Sequence, residues 1–117
     1  MKTLAQESGS DAERSAERFL VGHGLEILAR NYRTRIGEVD LIARDGRTVV
    51  FVEVRLRSSA RFGDAAASVD GRKQSRIVAA ARHYLSHLKV EPFCRFDVVT
   101  LDGGKTAWLR GAFDATG

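Results

Sequence analysis

A chain of 117 residues with 44% hydrophobic content has room for one domain around one core, and its composition is that of an ordinary globule. A net charge of +4, carried mostly by arginine, suits phosphate-bearing partners without requiring them. No apolar run is long enough to span a bilayer, residues 1–14 lack the apolar stretch of a signal peptide, and the single Cys94 cannot form an intramolecular disulfide, so a cytoplasmic protein with no membrane partner is expected.

Residues 1–9 are polar and predicted to be disordered. Ser10-Asp11-Ala12-Glu13 fits a capping box, and the helix after it buries Ala12, Ala16, Phe19 and Leu20 before Gly22 and Gly24 end it. Residues 25–33 read as a first strand with Leu25, Ile27 and Ala29 on one face. Residues 36–43 and 48–56 form a hairpin about a two-residue Asp45-Gly46 turn. Residues 58–69 form a small, polar loop containing Gly63. Asp70 caps a second helix with Ile77, Val78, Ala81, Tyr84, Leu85 and Leu88 as its stripe, and Pro92 breaks the chain. Residues 93–101 and 105–110 pair as strands about Asp102-Gly103-Gly104, and residues 111–117 fray. The order is α-β-β-β-α-β-β, an α+β mixed sheet in a single domain over residues 10–110.

The hairpin, "GEVDLIARDGRTVVFVEVRLR", sets three acids among Val, Leu, Ile and Phe. A turn at Asp45-Gly46 pairs Arg44 with Arg47. It puts Asp40 opposite Phe51 and Glu38 opposite Glu53, with Asp40 and Glu53 as diagonal neighbours roughly 7 Å apart at the backbone. All three acids then share a face with Arg55. Two readings are open: a solvated face of arginine–carboxylate pairs, or an oxygen-only site for a hard divalent cation.

These motifs resemble the YraN family of small bacterial proteins. The hairpin, Phe62-Gly63, "VDGRKQSRIVAAARHYL", "RFDVV" and the upstream "AERSAERFLVGHGLEILARNYR" occur in the family's order and span roughly residues 12–110. The resemblance implies kinship with the Holliday-junction resolvases and a restriction-endonuclease-like PD-(D/E)xK core. It implies metal-dependent endonuclease chemistry on DNA, branched or damaged DNA in particular, with Mg²⁺ or Mn²⁺ as cofactor. Asp40 would be the acid of the first half-motif and Glu53 that of the second. Glu13 would be the group's helical glutamate, although Ser10 also makes it the far end of a capping box. The Val54 carbonyl would face the metal. Cutting both strands of a junction would favour a homodimer, as in the resolvases.

One position departs from the motif. Lysine is expected two residues after the glutamate, and Arg55 stands there. Arginine donates hydrogen bonds and charge but stays protonated. Lys73 is a second candidate for the cation. The alternative is a non-catalytic nucleic-acid-binding or protein-interaction module with a degenerate site. Arg57, Arg72, Lys73, Gln74 and Arg76 are either a solvated surface or phosphate contacts. His83 and His87 stand four apart, a spacing that can hold zinc, but no third ligand completes a set. Tyr32 and Trp108 are either packing residues or stacking platforms for bases.

Overall fold

A computed structural model of the chain describes residues 4–56 and 69–115. Its elements are α1 (Leu4–Gly22), β1 (Glu26–Arg33), β2 (Glu38–Asp45), β3 (Thr48–Leu56), α2 (Gly71–Leu85), β4 (Phe93–Asp102) and β5 (Lys105–Phe113). They form one sheet in the order β1-β2-β3-β4-β5. Only β3 and β4 run parallel, because α2 carries the chain between them. This is the expected mixed α+β domain with a nuclease-like core.

The two helices cover opposite faces of the sheet. Ala16 and Leu20 of α1 pack on Leu41, Val50, Val52 and Val99. Ile77, Ala80 and Ala81 of α2 pack on Ile42, Phe51, Phe96 and Val98. Strand β3 is buried on both faces, which explains its unbroken apolar run from Val49 to Val52. Asp70 caps α2 as expected, its carboxylate accepting from the Lys73 N–H at 2.9 Å.

Several boundaries differ from the sequence reading. Helix α1 begins at Leu4, so Ser10 lies inside it and does not start it. Helix α2 stops at Leu85, and Leu88 is exposed. Strand β5 continues to Phe113, where Phe113 stacks on Phe96. Strand β1 does not keep one alternation: a bulge between Ile27 and Ala29 leaves Leu25 and Ile27 on the α1 face and moves Ala29 to the α2 face. The hairpin register also shifts. Asp45 pairs with Thr48 and Leu41 with Val52, so the turn residues are Gly46, at φ +62°, and Arg47. The ladder ends at Leu41–Val52, and the Asp40 carboxylate then accepts from the Val54 N–H, in place of the expected pairing of Asp40 with Phe51.

Trp108 is a packing residue. Its indole N–H donates to Asp97 at 2.9 Å, its ring meets Phe19 and His23 edge-on, and Arg110 lies over it at 3.9 Å. Asp97 is fully buried and also accepts from Arg95 and the Gly111 N–H, which ties β4 to β5. No helix among the described residues is long and apolar enough to cross a membrane.

Candidate metal and phosphate site

The carboxylates converge at one end of the β2–β3 pair. Leu41–Val52 is the last paired position of that ladder. Beyond it the Asp40 side chain takes over, its Oδ2 accepting from the Val54 N–H at 2.8 Å. This bond fixes Asp40 against β3. The Val54 side chain itself packs into the α1-side core.

Glu53 is only 3% exposed. Alternation puts it on the Phe51 face, beneath α2. There its Oε2 meets Lys73 Nζ at 3.4 Å and Arg55 Nη1 at 3.7 Å. Its Oε1 is buried with no hydrogen-bond partner. Burial, then the charge of Asp40, push the Glu53 carboxyl up to about 8 against the pull of Lys73. When both acids are ionised neither can donate, and Oε1 is orphaned. A proton on Glu53 converts the repulsion into a carboxyl–carboxylate hydrogen bond.

Glu38 lies beyond this pair and is held by α2. Arg76 Nη2 reaches it at 2.9 Å and Lys73 Nζ at 3.5 Å. The Arg76 hydrogen bond lowers the Glu38 carboxyl from its ordinary range. Lys73 thus bridges Glu38 and Glu53. On the opposite side, α1 brings half-buried Glu13 within electrostatic range of Asp40. Burial, then Asp40, raise the Glu13 carboxyl, while a hydrogen bond from Asn31 lowers it.

Among the predicted phosphate-binding residues, Arg72 is exposed on α2. The Gln74 amide donates to the Val69 carbonyl at 2.9 Å and braces the start of that helix. Arg76 is engaged with Glu38. Arg57 and Phe62-Gly63 lie outside the described residues. Tyr32 meets Tyr84 edge-on, and its hydroxyl pairs with His83 Nδ1 at 2.6 Å. His87 Nδ1 is 2.8 Å from the His83 carbonyl oxygen. No group of three His, Cys, Asp or Glu side chains gathers in metal-binding geometry among the described residues.

Two residues escaped the sequence reading. Asn31 has φ +49° in the middle of β1, a left-handed conformation that asparagine tolerates better than other side chains. Its weak strand preference was the available signal. Gly37 presses on α2, where an added Cβ would lie 1.9 Å from the Arg76 carbonyl oxygen. A glycine directly before the acid-bearing strand was its only trace.

The donor set is all oxygen, with one orphaned carboxylate atom and a second carboxylate beside it. That composition suits a hard divalent cation held by one or two carboxylates and completed by water and substrate phosphate. It does not suit a closed cage made by the protein alone.

The chain is similar to known sequences over most of its length. The profile of a family described as "Uncharacterised protein family UPF0102" matches residues 12–101. A UPF0102 protein of Nitrosospira multiformis is 56% identical over 109 residues, covering 91% of this chain and 92% of that protein. One from Nitrosomonas europaea is 52% identical over 113 residues, covering 94% and 96%. One from Cupriavidus pinatubonensis is 53% identical over 115 residues, covering 97% and 90%.

Proposed function

This chain belongs to the uncharacterised family UPF0102, the YraN family, and from that premise we propose that it is a metal-dependent endonuclease-like hydrolase of DNA, branched or damaged DNA in particular. The observation that carries the reading is the buried, orphaned Glu53 Oε1 beside Asp40, with Lys73 at the other oxygen. Asp40 and Glu53 would hold Mg²⁺ or Mn²⁺, with Glu13 as a further acid on the Asp40 side. A cation there supplies charge neutralisation at the phosphate and a more acidic water.

The other roles follow from side-chain chemistry. Lys73, 3.4 Å from Glu53, would orient the attacking water and offset negative charge building on the phosphate. Arg55 can offset charge but cannot act as a base, because it remains protonated. Glu38 and Arg76 hold Lys73 toward Glu53. The departure of Arg55 from the motif matters less when a lysine reaches the same carboxylate from another element.

Arg55 also favours a second reading, a binding module with a degenerate site. Labelled single-stranded, duplex, flap and four-way-junction DNA incubated with Mg²⁺, Mn²⁺ or EDTA separates the two. Metal-dependent cutting that Glu53→Gln abolishes supports the nuclease. Salt-sensitive binding without metal and without cutting supports the module.

A further inference from the structure

We propose that the β1–β2 turn is a rigid wedge that inserts Ile36 between bases of branched or locally unstacked DNA, with Arg33 and Arg35 on the flanking phosphates. The substrate class rests on the nuclease reading; the wedge rests on the turn itself.

Turn tips ordinarily carry Gly, Asn, Asp or Ser. This one carries a β-branched apolar side chain that is 66% exposed. A lone exposed apolar residue needs no explanation by itself. This one sits in a hydrogen-bonded turn beside Arg35. The Thr34 N–H donates to the Gly37 carbonyl at 2.8 Å. The Thr34 hydroxyl oxygen accepts from the Ile36 and Gly37 N–H groups at 3.2 and 3.0 Å. Gly37 is buried against Arg76 and Ala80 of α2, so the tip cannot fold back toward that helix.

The flanking charges are exposed. Arg33 and Arg35 form no direct ion pair among the described residues, and Arg33 lies within electrostatic range of Glu13. Arg30, Arg44, Arg76 and Arg95 each hold a carboxylate. Two exposed guanidiniums around an apolar tip match a phosphate backbone with a base step between its strands, and apolar wedges of this size unstack such steps. Ile36 lies four residues before Asp40, at most about 14 Å of backbone. Nucleotides advance about 3.4 Å per step along a strand. The unstacked step therefore lies within about four nucleotides of the phosphate at the carboxylates.

The test uses the Glu53→Gln protein in EDTA, so that cleavage does not intervene, with 2-aminopurine placed one to six nucleotides from the branch of a four-way junction. The expected result is a several-fold rise in emission at one position near the branch and binding about tenfold tighter than to continuous duplex. Adding Ile36→Ser, a change at an exposed site, abolishes the rise and the preference while duplex affinity stays within about twofold. Adding Arg35→Ala weakens binding to both DNAs and lowers the salt slope by about one. An emission rise that survives Ile36→Ser overturns the wedge, as does tight junction binding with no rise. A rise lost in Ile36→Ser, from a parent chain that never cuts with metal, supports the wedge and overturns the nuclease reading. Absence of DNA binding at low salt overturns both.

Discussion

Lys73 Nζ lies 3.4 Å from Glu53 Oε2, and Arg55 Nη1 lies 3.7 Å from the same oxygen. The nearer cation comes from a helix and not from the strand that carries the motif. Its N-terminal turn is anchored by the Asp70 cap, whose carboxylate holds the backbone N–H of Lys73 itself. Lys73→Met is expected to lower single-turnover cleavage about 100-fold or more, the size of losing one transition-state charge partner. Arg55→Lys is expected to stay within about tenfold of the parent. Equal losses in Lys73→Met and Arg55→Ala would remove the priority of the helical lysine.

The raised Glu53 carboxyl makes two pH-dependent predictions. Between its ordinary value near 4.5 and about 8, the folded protein keeps a proton that the unfolded chain has released. Stability therefore falls as pH rises through that window. Glu53→Gln removes this dependence and melts higher than the parent at pH 9. A cation must displace the same proton, so Mn²⁺ affinity measured by calorimetry rises with pH and levels off above about 8. Flat Mn²⁺ affinity across pH 6–9 would contradict the assignment of Glu53 as a ligand.

Gly37 is where the turn meets α2. A Cβ there would stand 1.9 Å from the Arg76 carbonyl oxygen, a collision with backbone that no side-chain rotation relieves. Gly37→Ala should destabilise the fold by about 1–3 kcal/mol, as overpacking does. Urea denaturation reads this directly. A loss below about 0.5 kcal/mol would mean that the helix moves away freely.

Asn31 couples strand geometry to Glu13. Its left-handed backbone suits Asn or Gly, and its side chain hydrogen-bonds the Glu13 carboxyl. Asn31→Gly keeps the backbone, so stability should change by less than about 1 kcal/mol. Without the amide Glu13 titrates higher, and the acid limb of the pH–rate profile should move up. Asn31→Val, which resists positive φ, should cost about 1–3 kcal/mol. An unmoved acid limb in Asn31→Gly would separate Asn31 from the chemistry.

Much of the fold was legible because it is local. The α-β-β-β-α-β-β order, the Asp70 cap and the doubly buried β3 follow from periodicity and turn residues a few positions apart. The proximity of Asp40 to Glu53 was also readable, since both interrupt one hairpin. What periodicity could not decide is which residues of the turn lie outside the ladder. A turn at Gly46-Arg47 instead of Asp45-Gly46 moves every partner and ends the ladder beside the two interacting carboxylates.

The sequence by itself determined the element types, the acids and the arginine excess, because these depend on residues and their near neighbours. The tertiary structure decided which charges meet. Lys73 reaches Glu53 only because the crossover helix returns over β3, and Glu13 reaches Asp40 only because α1 covers the other face. Such contacts depend on register, bulges and chain closure, which are set by packing the whole sheet between two helices and leave no local period to read.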